Sequence, residues 1–327
     1  QDPLLHRTFG AVIKATGAQR IDDTHLRSAS SRKHRFDIYV LARHPATEDE
    51  WRAGVDQVIA DVEATSFSVR RAAHETWWKA FWQRSWFHVT ATGAQKDDAF
   101  VISRAYALQR YVTACGARGA YPIKFNGSIF TVEHDGKPHN ADFRQWGPGY
   151  WWQNTRMPYL GMCTSGDFEM TDALYKMYCK DLLEYHKHRA KVHPGHEGLY
   201  IPETMLFYGN HRTADYGKTP FAERTDKLQE SNWHKWEWVS GLELGYMMLD
   251  RYEHTLDEGF LKDTIIPFTH DVLRFFDLHY ETGLDGKLVM HPSQALETWW
   301  ECTNPMPEVA GLHAVTDRLL ALPENLT

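Results

Sequence analysis

Apolar and polar residues alternate in two short runs near the start of the chain, Phe9-Gly-Ala-Val-Ile13 and Phe36-Asp-Ile-Tyr-Val-Leu41, with Ser-rich and Arg-rich turns between them. A period of two in β-branched and aromatic residues predicts strands. Residues 1–46 are too few for an independent sandwich, so they read as the strand-rich tail of a larger β-domain. From Thr47 the period becomes helical. Thr47-Glu48-Asp49-Glu50 supplies a cap and an acidic first turn, and Trp51, Val55, Val58, Ile59 and Val62 follow at helical spacing, which predicts a helix running on toward Trp82. Residues 74–86 are aromatic on several sides, with Trp77, Trp78, Phe81, Trp82 and Trp86. Residues 47–92 therefore read as a helical linker whose second half packs between two domains.

Beyond a turn at 93–98, helical periods recur over 99–115, 167–189, 233–251 and 260–280, and a last one opens after Pro305 and stops at Pro323. The intervening stretches 119–161, 192–230 and 281–307 far exceed the usual loop of about 4–6 residues. Loops of that length, rich in Gly, Pro and aromatic residues on a helical frame, generally carry function. The pattern predicts a mainly α fold over 93–327, an α-helical toroid with too few helices to close a ring of twelve. The chain is therefore read as truncated at its C-terminus.

Composition narrows the classes of partner. The chain has 327 residues, 43% of them hydrophobic and 24% charged, which is the balance of a folded globular protein. A formal charge of −7 offers no basic footprint for nucleic acid or an anionic membrane. No apolar run approaches the roughly 20 residues of a membrane span, and Gln1-Asp2-Pro3 has neither region of a signal peptide. Any leader is read as removed, with a secreted or periplasmic location expected. Four cysteines without a CxxC, and 19 histidines without HExxH, offer no metal-ligand motif, so no metal and no cofactor is assigned and metal dependence stays open. These patterns leave the oligomeric state open.

The 13 tryptophans change the picture. Indole stacks on the C–H face of a pyranose while neighbouring amides and carboxylates take its hydroxyls, so Trp beside Asn, Gln, Glu and Arg suits a carbohydrate cleft as well as a packed core. The first long loop contains Asn126, the pair Asp142 and Arg144, and Gly149-Tyr150-Trp151-Trp152-Gln153-Asn154-Thr155-Arg156-Met157-Pro158-Tyr159. There Trp151, Trp152 and Tyr159 are candidates to stack on sugar, and Gln153, Asn154 and Arg156 to fork onto vicinal hydroxyls. The Asp142–Arg144 pair reads as a loop-fixing ion pair. The third loop reads His291-Pro-Ser-Gln-Ala-Leu-Glu297-Thr-Trp299-Trp300-Glu301. A carboxyl beside indoles can be desolvated and so kept protonated as a general acid, a setting shared by Glu297 and Glu301. Glu203 in the second loop and Glu237 among Trp233, Trp236 and Trp238 are candidates to line the cleft or serve as base.

Read in order, Arg110-Tyr111, Arg118-Gly119, Pro122, Asn126-Gly127, Asn154-x-x-Met157-x-Tyr159 and Pro292-Ser293-x-x-x-Glu297 resemble glycoside hydrolase family 95, the inverting α-L-fucosidases and α-L-galactosidases. The Trp-Trp, Phe-Asn-Gly and Trp-Trp-Gln-Asn-Thr-Arg pattern is similar to related bacterial proteins of the same build. The resemblance implies an N-terminal β-sandwich, a helical linker and an (α/α)6 barrel, here incomplete. It also implies that Glu297, rather than Glu301, is the general acid and that Asn154 helps hold the attacking water. Trp152 stands where the family has a companion asparagine, so the water and sugar contacts cannot be identical. No counterpart of the family's water-activating aspartate stands before Thr327. The expected function is an exo-acting, inverting glycoside hydrolase on a poly- or oligosaccharide, with Asn126, Trp151, Trp152, Gln153, Arg156, Tyr159, Glu203, Glu237, His291 and Trp299 as substrate contacts. The alternatives are a polysaccharide lyase on the same toroid, with Tyr159 or a histidine as base, and a non-catalytic carbohydrate-binding protein.

Overall fold

The alternating runs pair as their period requires. The computed structural model describes residues 4–124, 149–210, 219–223 and 234–326, in two compact units, Gln1–Gln83 and Arg84–Thr327. In the first unit the strands are β1 (Thr8–Ala15), β2 (Ala18–Arg20), β3 (Leu26–Ser28) and β4 (Phe36–Arg43). β1 lies antiparallel to β4 with Ile13 opposite Ile38 and Ala11 opposite Val40, and β2 pairs with β3. Helix α1 (Glu48–Glu63) starts in a capping box in which Thr47 and Glu50 satisfy each other's backbone N–H groups. Its Trp51 lies against Gly10, where an added Cβ would come within 2.8 Å of the indole, and donates to the Leu41 carbonyl at 2.8 Å.

The single helix expected from Thr47 to Trp82 is two helices. α1 ends at Glu63, and α2 (Phe67–Arg84) begins after Ser66, whose hydroxyl accepts from Val69 N–H at 3.4 Å. Along α2 the aromatic residues stack at helical spacing, Trp77 on Phe81 at 5.4 Å and Trp78 on Trp82 at 6.0 Å.

The outer face of the β1–β4 ribbon is apolar and open, with Phe9 78%, Ile38 64% and Val40 72% exposed. A contiguous patch of this kind is uncommon on a monomer surface. The 327-residue chain is expected to bind an apolar fluorescent dye, with Ile38→Lys/Val40→Lys removing at least half of the signal without lowering the unfolding midpoint. Undiminished dye binding in that variant would place the exposed apolar surface elsewhere.

The second unit is mainly α. Helix α3 (Lys96–Gly116) is followed by strand β5 (Gly149–Trp151), the single turn α4 (Trp152–Thr155), α5 (Asp172–Lys176), α6 (Leu183–Val192) and strand β6 (Thr204–Leu206). Then come α7 (Val239–Thr255), α8 (Glu258–Phe260), α9 (Ile266–His279), the hairpins β7 (Glu281–Thr282)–β8 (Leu288–Val289) and β9 (Ser293–Ala295)–β10 (Trp299–Cys302), and α10 (Met306–Leu320). The helices expected at 167–189 and 260–280 are each interrupted by a π turn, at Met177–Asp181 and Leu261–Ile265. The second has a local cause. Pro267 at the start of α9 has no N–H to give the preceding turn, so the ladder there widens.

Helix α7 is the centre of the core, with ten buried residues. Gly241 and Gly245, four apart on one face, let α9 approach closely. A Cβ at either would meet Val272 or Thr269 at 3.0 Å. Among the described residues the sheets are all two-stranded, and no helix is long and apolar enough to cross a membrane.

Candidate active site

The pairing of two three-residue strands begins the site. β5 and β6 run antiparallel with Trp151 opposite Thr204. This register places Glu203 beside the first turn of α4. Trp152 N–H donates to the Glu203 carbonyl and Gln153 N–H to its Oε1, both at 2.7 Å. The Gln153 side chain then donates to Glu297 Oε1 at 3.0 Å, across 144 residues of sequence.

A second set of bonds brings the Glu297 hairpin to the segment before α7. Fully buried Gln294 accepts from Trp236 N–H at 3.2 Å and donates to the Leu296 carbonyl at 2.8 Å. Tyr280 links Trp238 to the Pro292 carbonyl, at 2.7 and 2.9 Å. His234 consequently lies between two carboxyls, with Nδ1 2.8 Å from Glu237 Oε2 and Nε2 3.8 Å from Glu297 Oε1. His234 and Glu237 are 3% and 1% exposed, whereas the Glu297 side chain keeps 47% of its surface open. Glu297 is thus the outward-facing end of a buried polar chain.

The backbone around Glu297 is under constraint. Leu296, Glu301 and Asn304 hold φ of 57°, 52° and 50°, the left-handed region that non-glycine residues seldom occupy. Such residues cost about 1–3 kcal/mol each and tend to gather at functional sites. Asn304 is fastened in place, its side chain accepting from Met290 N–H at 2.7 Å.

Beneath this lie three acids, Glu203 and Glu308 fully buried and Glu243 with 31% of its side chain open. Burial, reinforced by the Glu237 carboxylate, holds Glu203 well above the usual carboxylate range, against the opposing pull of Gln153 N–H and Arg156. Burial also raises Glu243, opposed by Arg156 at 3.2 Å and by the Trp152 indole N–H at 2.6 Å. Glu308, in the first turn of α10, is fully buried with neither oxygen hydrogen-bonded at ordinary geometry, and burial pushes it up to about 8. A neighbouring cavity of about 340 Å³ is bounded by Arg156, Glu237, Glu243, Tyr246 and Gln294.

Glu308 sets a pH dependence. Its carboxyl keeps a proton in the fold up to about pH 8 but only to about 4.5 when unfolded, so the fold binds the extra proton across that window. Stability therefore falls as pH rises through it. Glu308→Gln is expected to flatten that slope and to stabilise the protein by on the order of 2–4 kcal/mol above pH 8. Urea unfolding near pH 5 and near pH 8.5 measures it; equal slopes in both proteins would remove Glu308 as the cause.

Several predicted contacts have other roles. Trp152 is completely buried and packs edge-on to Tyr178 at 5.3 Å, leaving no face for a sugar. Tyr159 is 2% exposed and its hydroxyl accepts from Ile123 N–H at 2.7 Å, so it is a strut rather than a base or stacking ring. The Trp299 and Trp300 indoles are 66% and 45% exposed and do not bury Glu297; the hairpin bulge between Trp299 and Cys302 turns them outward. Asn154 is exposed, and Gln153 makes the bond to Glu297. Trp151 is half-buried, folded over Gly149, where an added Cβ would lie 2.5 Å from the ring. His291 is exposed, with Nδ1 3.2 Å from the Thr303 hydroxyl. Asn126, Asp142, Arg144 and Trp233 lie outside the described residues.

No motif in the sequence singles out His234, Glu243, Gln294 or Glu308. Of these, His234 carried a signal, standing three residues before Glu237 in a Trp-rich run.

Comparisons with known proteins bear on the fold. A family model for a domain of unknown function (DUF5703) matches residues 1–87. No curated protein matches the chain. Among solved structures, "Putative kojibiose phosphorylase from human microbiome" is similar over 98% of this chain, with a TM-score of 0.64 and 12% identity. This chain spans 41% of that one. At that identity the likeness is one of fold.

Proposed function

We propose that the second unit carries the active site of a carbohydrate-cleaving enzyme, a glycoside hydrolase acting on a poly- or oligosaccharide, with Glu297 as general acid. The observation that carries this is the Glu297 carboxyl, half open and held on one oxygen by Gln153 and beside His234. An accessible carboxyl fixed in position by its neighbours can reach a glycosidic oxygen. The fold neighbour, whose name is that of a phosphorylase acting on kojibiose, supports a carbohydrate substrate. Inversion and exo action follow from the resemblance to family 95, and inversion requires acid and base about 6.5–9.5 Å apart.

Charge favours hydrolysis of a neutral glycan over two other reactions. Arg156, the cation bounding the cavity among the described residues, is already paired with Glu243 at 3.2 Å. A uronate, as a lyase requires, or inorganic phosphate, as a phosphorylase requires, would have to compete with Glu243 for it. In domain terms, residues 1–46 are proposed as the end of a β-sandwich whose remaining strands would cover the open β1–β4 face, 47–92 as linker, and 93–327 as part of an (α/α)6 toroid. A secreted or periplasmic location is proposed on the same resemblance.

The test is a screen of aryl glycosides and plant or algal polysaccharides, with and without inorganic phosphate, read for new reducing ends, sugar phosphate and ultraviolet-absorbing unsaturated ends. New reducing ends without the other two products support hydrolysis, and the anomer first released, read by NMR, decides inversion. Sugar phosphate or unsaturated ends would replace hydrolysis by phosphorolysis or elimination. Glycan binding without any product would favour the non-catalytic alternative.

A further inference from the structure

Cys163, Asp250 and His254 meet at the far end of α7 from Glu237. Asp250 and His254 are four residues apart in the last turns of that helix and so share a face. Cys163, 6% exposed, comes from the turn after Tyr159. One donor atom of each, a thiol sulfur, a carboxylate oxygen and an imidazole nitrogen, lies within 4.8 Å of the other two.

We propose that this trio is a binding site for a divalent ion of the zinc class. The donor set fits that chemistry, because thiolate, imidazole and carboxylate are the ligands zinc takes, commonly three from the protein with a fourth position open to water. Bonds of about 2.0–2.3 Å require the donors to draw in by roughly 1 Å. The side chains of Asp250 and His254 are 29% and 38% exposed and have room to do so. The helix end favours a cation, whereas burial and the Asp250 carboxylate push the Cys163 thiol up to about 12 and so oppose its ionisation. α7 ends at Thr255, and the partial negative charge of a helix C-terminus favours a cation. Arg251, the nearby competing cation, is drawn aside by Asp172 Oδ1 at 2.6 Å and the Thr171 hydroxyl at 2.8 Å. On binding, the Cys163 S–H bond breaks, its proton passes to solvent and the sulfur forms the metal bond. The site is independent of the glycan reading. It ties the turn leaving Tyr159 to α7, so an occupied site clamps that turn.

Cobalt(II) titration of the full chain tests this, since a thiolate ligand gives an intense charge-transfer band in the near ultraviolet. The expected result is such a band saturating at one equivalent and reversed by zinc. It should be abolished by Cys163→Ser, unchanged in Cys115→Ser, and accompanied by an affinity loss of at least about tenfold in His254→Ala. His254 is partly exposed, so its removal tests the site without emptying the core. Absence of the band from the wild-type chain, its survival in Cys163→Ser or its loss in Cys115→Ser would overturn the proposal and leave the trio a hydrogen-bonded cluster only. Glycoside turnover in the same preparations is read separately, so neither proposal's failure can be mistaken for the other's.

Discussion

Glu297→Gln is expected to lower glycoside turnover by about 10²- to 10⁴-fold, the usual contribution of a positioned general acid, while sugar affinity changes by less than a few-fold. The amide matches the carboxyl in shape, and its oxygen can still accept from Gln153 Nε2, so the hairpin stays in place. What the variant loses is the transferable proton. Glu301→Gln is the matched control: Glu301 stands on the same hairpin, exposed and in the left-handed region. Kinetics on the best substrate of the screen, with binding followed by calorimetry, separates the two. Full turnover in the Glu297 variant, or an equal loss in the Glu301 variant, would end the assignment.

The route to Glu297 also shows what the sequence made legible. Local patterns are realised directly: the period-two runs form β1 and β4, and Thr47 with Glu50 forms a capping box. These depend on neighbours within a few residues. The break before Ser66 and the two π turns were not legible, because a helical period continues through them. The role of Trp152 shows the same limit. Its neighbours suggested a sugar platform, but its indole N–H goes to Glu243, 91 residues away, and its ring to Tyr178. Gln153 and Asn154 are adjacent, and only the turn of α4 decides which of them points at Glu297. The cluster of Cys163, Asp250 and His254 shows the limit most plainly, since residues about 90 positions apart have no common motif.

Asp167→Ala is expected to destabilise the second unit by about 3–5 kcal/mol, far more than a surface ion pair is worth. Arg110 and Asp167 are each 4% exposed and joined as a two-pronged fork, Nη2 to Oδ1 at 2.8 Å and Nε to Oδ2 at 3.0 Å. Arg84 and Ser165 also hold the carboxylate, at 2.8 and 2.7 Å. Removing it leaves a guanidinium buried without its counter-charge, and that unpaired charge, rather than the lost attraction, is the main cost. Arg110→Met/Asp167→Leu, which removes both charges and refills the space, should therefore recover most of the loss. If the double variant is as unstable as the single one, the fork's geometry, not the stranded charge, is what matters; a single-variant loss under about 1 kcal/mol would class the pair with exposed ones. Urea unfolding of the three proteins decides. Arg110 belongs to the motif that resembles the fucosidases, yet its side chain is committed to Asp167, on the turn that follows α4 and Tyr159. Its place in the pattern is thus explained by the support it gives the segment carrying Gln153, with no contact to sugar required.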